Sequence, residues 1–335
     1  MAASIHDVAQ LAGVSPRTVS NVVNDFVHVR IETRTRVQAA IDELGYRPNI
    51  SARRLRQGKT RILAFAVPEL SQPYFSELSE LIERAAQASG YTVMAAQTGG
   101  VREREIGILR DFDSHIVDGL ILSPMSLQAA DLTAHRPNVP VVLIGEQISS
   151  EGFVDVAIDN VRAVGDITRH LIETGRTRIA ALGAYSSPGY RSADLRLEGY
   201  RNSLAAAGMP FDPALVLYTD VYSRQAGRDA VLRAARQGLD FDALVCFNDV
   251  LALGAIRALA DLGIPVPGRI AVTGIDDIDD STYCVPSLTT ISPDKEGIAQ
   301  SAVARLLELI ATPDAVASDI EHSYRLIVRE SSAPA

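Results

Sequence analysis

Residues Ser4 to Asn24, SIHDVAQLAGVSPRTVSNVVN, hold two short helical patterns hinged at a glycine, and the rest of the chain reads outward from them. In the first, Ile5, Val8, Ala9 and Ala12 recur at helical spacing, Ser4 stands where an N-cap belongs, and Asp7 lies where the helix dipole favours an acid. Gly13 ends it. The second restarts at once: Ser15 is a capping residue, Pro16 sits where a missing N–H costs nothing, and Val19, Val22 and Val23 form an inward stripe. Arg17, Ser20, Asn21 and Asn24 make an outward polar stripe bordered by Thr18. The pair therefore reads as a helix-turn-helix whose second helix offers donors and acceptors to base edges in a major groove. A plain amphipathic hairpin packed on a larger domain is the competing reading of this stretch taken alone.

A third helix is predicted over about 32–44, with Val37, Ala40, Ile41 and Leu44 on one stripe and Gly45 closing it. After Pro48 comes NISARRLRQ, residues 49–57, strongly basic and too short to hold a helix by itself in water, where helices under about 12 residues are marginal. By composition it is a solvated linker.

Together IHDVAQLAGVSPRTVSNVVND, ETRTRVQAAIDELGYRPN and SARRLR, from Ile5 to Arg56, resemble the DNA-binding headpiece of the lactose-repressor (LacI/GalR) family. One departure shows: where that family usually offers a Ser or Thr cap before the third helix, this chain has Arg30 and Ile31, which predicts a frayed start or a less certain register. The resemblance implies DNA contacts from Ser4, Ser15, Pro16, Arg17, Thr18, Ser20, Asn21 and Asn24, and from Ala52, Arg53, Leu55 and Arg56. In it, residues 49–57 become a hinge helix that orders when two copies meet in the minor groove. Leu55 then wedges into the central base step while Arg53, Arg54 and Arg56 serve phosphates. Many relatives carry Arg or Lys at the position of Asn21, so an operator richer in adenine there is expected.

Charge separates head from body. Residues 1–60 carry nine of the 32 Lys and Arg and five of the 41 Asp and Glu, a net of +4, and the remaining 275 residues are left with a net of −13. A basic head on an acidic body suits a chain that presents one end to phosphates. Two cysteines make no disulfide framework, and Cys246 lies in the apolar run ALVCF, so a reducing compartment is expected. No apolar run approaches a membrane span and no export signal precedes the headpiece, which points to a cytoplasmic, nucleoid-associated protein with no membrane partner.

From Arg61 short apolar runs alternate with helical stretches: ILAFAVP, YTVMAA, DGLILSP, VPVVLIG and FVDVAID, then RIAALG, LVLY, ALVCF and IAVTGID. Alternation of this kind means parallel sheets flanked by helices, here two Rossmann-like lobes in series. The resemblance implies a periplasmic-binding-protein-like core. The expected division is a headpiece over 1–48, hinge helix and linker over 49–60, and an effector-binding core over 61–335. Lobe 1 is expected over 61–158 and 290–318, lobe 2 over 159–289 and 319–335, with crossings near Asp159, Thr289 and Ser318. LTTI and the helix that follows it would return to lobe 1.

Ligands in such sheets bind beyond the carboxyl ends of the strands, where two edges here face each other. Tyr74, Phe75, Arg196, Tyr222, Asn248, Asp249 and Asp276 lie at or just past those ends, and the resemblance implies effector contacts at Tyr74, Phe75, Ser192, Arg196, Tyr222, Asn248 and Asp276. Aromatic faces stack on a ring while an arginine fork and carboxylates take hydroxyls or amides, which suits a sugar or nucleoside-like effector. Each has a plainer reading: Phe75 as core, Asp249 as an N-cap, Arg196 paired with Glu198 or another acid. With no tryptophan in the chain, the ring contact of a sugar is left open.

Two rivals fit less well. No G-x-G-x-x-G, phosphate loop, G-x-S-x-G or H-E-x-x-H supports an enzyme, and Asp276-Asp277-Ile278-Asp279-Asp280 lacks the glycine and closing glutamate of a calcium loop, so neither catalytic residues, a cofactor nor a metal is expected. A solute-binding protein feeding a transporter would share the core, but not the basic headpiece. The expected protein is a ligand-switched transcriptional regulator, a repressor, reading a palindromic double-stranded operator as a homodimer. The C-terminal SSAPA adds no leucine heptads, so a dimer is expected rather than a tetramer.

Overall fold

The computed structural model describes residues 3–23, 26, 28–46, 59–112, 116–145, 148, 150–187, 189–312 and 318–333, and the chain divides between Thr60 and Arg61 into two compact units. Asn24, Ala52, Arg53, Arg54, Leu55 and Arg56, and with them the expected hinge helix over 49–57, lie outside the described residues.

In the first unit α1 (Ile5–Ala12), α2 (Pro16–Val23) and α3 (Ile31–Leu44) enclose Val8, Ala9, Ala12, Val19, Val22, Val37 and Ala40. The punctuation is local. Ser4 and Asp7 form a capping box: the Asp7 N–H donates to Ser4 Oγ at 3.3 Å and the Ser4 N–H donates to Asp7 Oδ2 at 2.8 Å. These bonds, the backbone one first, hold the Asp7 carboxyl below the ordinary carboxylate range. Gly13 takes φ 63°, the left-handed conformation a tight turn into α2 requires. Ser15 caps α2, its Oγ accepting from the Thr18 N–H at 3.1 Å. α3 begins without a side-chain cap at Arg30, as the sequence departure implies, yet the Arg34 N–H reaches the Arg30 carbonyl at 3.0 Å, so its first turn is formed rather than frayed.

The second unit follows the alternation. In order come β1 (Ile62–Val67), α4 (Pro73–Ala88), β2 (Thr92–Gln97), α5 (Arg102–Asp111), β3 (Gly119–Leu122), α6 (Ala129–Ala134), β4 (Val141–Ile144) and β5 (Val154–Ile158). Then come α7 (Asn160–Glu173), β6 (Ile179–Ala184), α8 (Arg191–Ala206), β7 (Val216–Tyr218), α9 (Arg224–Arg236), β8 (Ala243–Cys246), α10 (Asp249–Asp261), β9 (Ala271–Ile275) and α11 (Asp279–Tyr283). The chain closes with β10 (Thr289–Pro293), α12 (Lys295–Ala311), β11 (Ile320–His322) and β12 (Tyr324–Ile327). Two six-stranded sheets result, ordered β11-β5-β4-β3-β1-β2 and β12-β10-β9-β8-β6-β7; β12 runs antiparallel to β10 and the other pairings are parallel. Strands covered by helices on both faces bury side chains on both, which is why β3, β4, β8 and β9 are apolar runs without alternation.

The lobe boundaries differ from expectation at two crossings. Thr289–Pro293 pairs with β9, Ile291 beside Ile275, and so belongs to lobe 2 rather than lobe 1. The crossing falls at Asp294, after which α12 packs on lobe 1. The last crossing falls at Ser323 rather than Ser318, because Ile320–His322 extends the first sheet beside β5. An LTTI run is compatible with either sheet by pattern, and only its hydrogen-bonded neighbour decides.

Candidate functional site: the cleft between the lobes

In each sheet the strand order reverses beside the first strand, β1 or β6, and loops leaving the carboxyl ends there open a crevice. The two crevices face each other across a cavity of about 390 Å³, within the usual range for small ligands. Tyr74, Phe75, Ser192, Arg196, Tyr222, Asn248 and Asp276 all line it.

Lobe 1 contributes the start of α4 and the loops after β1, β2 and β3. Pro73 opens α4, which puts Tyr74 and Phe75 on its first turn with ring centroids 5.3 Å apart in an edge contact. The loop after β3 is shaped by Glu105, a fully buried carboxylate that accepts from the N–H groups of Met125 at 2.8 Å and Ser126 at 3.1 Å and from Ser126 Oγ at 2.9 Å. Met125 is thereby held at the cleft, beside Ser123, whose N–H donates to the Ala66 carbonyl at 2.9 Å.

Lobe 2 contributes most of the polar chemistry. Arg196, in the second turn of α8, is ion-paired with no acid among the described residues: its Nε donates to Asn160 Oδ1 at 2.9 Å and one terminal nitrogen donates to the Phe247 carbonyl. Asn160 in turn donates to the Gly145 carbonyl at 3.3 Å, tying the guanidinium to the crossing between lobes. Asn248 is the N-cap of α10, its Oδ1 accepting from the Leu251 N–H at 3.0 Å, which leaves the amide NH2 as the group it offers the cleft. Asp249 is therefore not the cap. It is completely buried and accepts from Thr290 Oγ1 at 2.6 Å, Ser281 Oγ at 2.7 Å and the Ile278 N–H at 3.1 Å. Asp276 follows β9 with φ 115°, a conformation a non-glycine residue adopts only where its surroundings hold it, and is 9% exposed. Burial pushes its carboxyl up to about 7 against the pull of Arg196 and Lys295, with the Glu77 charge adding to the rise. Around neutral pH it can thus present either a proton donor or a carboxylate.

Two tyrosines were missed by sequence reasoning. Tyr185 and Tyr190 stack at 3.8 Å between centroids, and Tyr185 lies 5.3 Å from Tyr222, whose hydroxyl donates to the Gly183 carbonyl at 2.8 Å. All three line the cavity and give it an aromatic wall. Tyr185 follows β6 directly, so the rule that selected Tyr222 and Asp276 would have found it; Tyr190 carries no such signal. Two glutamines of lobe 1 reach main-chain carbonyls of lobe 2 beside these rings: Gln72 donates to the Tyr222 carbonyl and Gln128 to the Gly189 carbonyl at 3.0 Å.

In the first unit Arg17 is exposed, and Thr18, Ser20 and Asn21 are half-buried. Ser4 and Ser15 serve as caps, and the Ser15 and Thr18 hydroxyls lie 2.9 Å apart. Among the described residues, no group of three or more His, Cys, Asp or Glu is arranged to hold a metal ion, and no helix is long and apolar enough to cross a membrane.

A helix-turn-helix unit and a two-lobed α/β core around a small-molecule cleft define a ligand-responsive regulator of transcription. Residues 4–49 match the pattern of bacterial regulatory proteins of the lacI family, and residues 168–332 that of a periplasmic binding protein-like domain. The HTH-type transcriptional repressor PurR of Aliivibrio fischeri is 34% identical over 98% of both chains. The regulator GalR of Salmonella typhimurium is 33% identical over 86% of this chain and 84% of its own. The lac repressor dimer bound to operator and the anti-inducer ONPF superposes with a TM-score of 0.87 at 28% identity over the whole of both chains. The CelR–cellobiose complex follows at 0.73 and 29% over 98% of this chain and 99% of that one. The chain belongs to the lacI family of bacterial regulatory proteins: it is a DNA-binding transcriptional regulator, and its named relatives are regulators rather than enzymes.

Proposed function

We propose that the protein represses transcription by binding a palindromic operator as a homodimer on the nucleoid, and that a sugar or nucleoside-like effector binds in the cleft and changes that affinity. The observation that carries this reading is convergence. Seven side chains from five loops and helix starts meet at one cavity with the Tyr185–Tyr190–Tyr222 cluster beside them. The rings stack on the ligand's apolar face, while Arg196, Asn248, Ser192 and Asp276 take its hydroxyls. Arg196 and Asn248 are held by their neighbours before any ligand arrives, so little ordering entropy is spent on them in binding. In the headpiece, Arg17 and Asn21 read base edges, with Ser4, Ser15, Pro16, Thr18, Ser20, Asn24, Ala52, Arg53 and Arg56 placing the protein on the duplex and Leu55 at its centre. The superposition on an operator-bound lac repressor dimer and the CelR–cellobiose complex support the two halves of this reading.

Asp276→Ala tests it. A ligand moves a two-state protein only through its differential affinity for the states, so a variant that cannot bind cannot switch. The variant should bind operator as the unliganded parent does and lose its response to effector. Operator affinity with and without saturating ligand, beside calorimetry, reads both; parental ligand affinity in the variant would remove Asp276 from the site.

A further inference from the structure

The loop that carries Asp276 is held from both lobes. It joins β9 to α11 in lobe 2, and both Asp276 and Asp277 sit at positive φ, 115° and 47°. From its own lobe, Asp249 accepts from the Ile278 N–H and Arg329 Nη2 donates to Asp277 Oδ1 at 2.7 Å. From lobe 1 two side chains reach it. Lys295 Nζ donates to the Asp277 carbonyl at 2.9 Å, and Glu77 Oε1 accepts from the Asp279 N–H at 3.3 Å. Lys295 and Glu77 are also ion-paired with each other, their side chains only 15% and 32% exposed. Glu77 lies on α4, two residues past Phe75. Lys295 opens α12 immediately after the crossing at Asp294.

The polarity of these contacts matters. An ammonium only donates and a carboxylate only accepts, and the lobe 2 loop presents a carbonyl to the first and an N–H to the second. The ion pair by itself joins two helices of lobe 1; the two backbone bonds are what span the lobes.

We infer that Glu77 and Lys295 form a clasp of fixed polarity, two positioning residues that hold the Asp276 loop of lobe 2 against α4 and α12 of lobe 1 and so set the closure angle of the cleft. Its consequence for effector response rests on the proposed function; its geometry does not.

Exchange of the two residues separates this role from a structural one. In the full-length Glu77→Lys/Lys295→Glu protein the ion pair survives within lobe 1, but each partner now meets a backbone group of its own polarity. Spin labels go on cysteines placed at the exposed residues Glu103 of lobe 1 and Arg236 of lobe 2, with Cys284→Ser as background and labelled chains diluted in unlabelled ones. Pulsed dipolar distances then report lobe separation without any ligand. The exchanged protein should lose the parental distance peak and show a longer, broader distribution with its melting temperature near the parent's. Glu77→Gln, which keeps an acceptor oxygen for the Asp279 N–H, should retain the parental peak. A parental distribution in the exchanged protein would overturn the clasp. If the exchange does not fold, Lys295→Met, which lacks the donor, carries the same expectation and the same refutation. An opened exchange variant in a protein that responds to no effector would sink the functional reading and leave the clasp standing.

Discussion

Asp249 shows how much one buried carboxyl can ask of its surroundings. It accepts three hydrogen bonds, which favour the charged form, yet burial and then the neighbouring Asp276 raise its pKa to about 8. In the unfolded chain an aspartate titrates near its ordinary value of 3.8. Between those values the folded state keeps a proton that the unfolded state has released, so this group's contribution is fully present below the unfolded value and is lost as pH rises toward about 8. Asp249→Asn keeps the shape and removes the titration. Thermal melts of parent and variant from acid to mildly alkaline pH should show the parent falling relative to the variant as pH rises. Parallel curves would mean that another group carries the dependence. Asp276, raised to about 7, shares the same sign, and because the two charges interact the difference between parent and variant reports the Asp249–Asp276 pair.

At the scale of elements, the wall of the cleft depends on how closely α9 and α10 approach. Ser223 caps α9 directly after Tyr222, and Asn248 caps α10, so the spacing of these two helices sets where both cleft residues stand. A Cβ on Gly254 of α10 would lie 1.9 Å from the Arg224 carbonyl oxygen, and one on Gly227 of α9 would lie 2.2 Å from the Leu251 carbonyl oxygen. Both contacts are with backbone, so no side chain can swing aside. Alanine is the better helix former by about 1 kcal/mol, but overpacking a close contact costs about 1–3 kcal/mol, and the second effect should win. Gly254→Ala is expected to lower stability in urea unfolding and to weaken effector binding with it. A more stable variant would show that the helices are free to separate.

For the whole molecule, the proposed function makes the working unit a homodimer rather than one chain. On that proposal a single headpiece would offer phosphate contacts and a few base contacts, and two of them on a palindrome would add the Leu55 wedge at its centre. Leu55→Ala should weaken binding to the specific operator while leaving weak, salt-sensitive binding to random DNA nearly intact, since that term belongs to the arginines. Titrations on both DNAs at two salt concentrations check this; equal losses on both would remove Leu55 from the centre of the site.

What the amino-acid sequence determined by itself is what depends on short range. The helix-turn-helix was legible because its signals act within four residues: the Ser4–Asp7 capping box, Gly13 in the left-handed turn, Ser15 capping α2, and valines at helical spacing. The alternation of the core was legible for the same reason, and so was an acid at the end of IAVTGI, because the carboxyl edge of a parallel strand is where ligands gather. Pairing was not. Thr289–Pro293 reads equally well in either lobe until its neighbour is known, and Asp249 reads as a cap until Thr290 and Ser281 are seen to donate to it. The cleft's own architecture is further still from local pattern. Gln72 meets Tyr222 across 150 residues and Glu77 meets the Asp279 N–H across 202, and such contacts exist only because three crossings fold two sheets face to face. Periodicity and capping are properties of neighbours along the chain; which donor meets which acceptor across the cleft is decided by the tertiary structure, where buried polar groups must find partners.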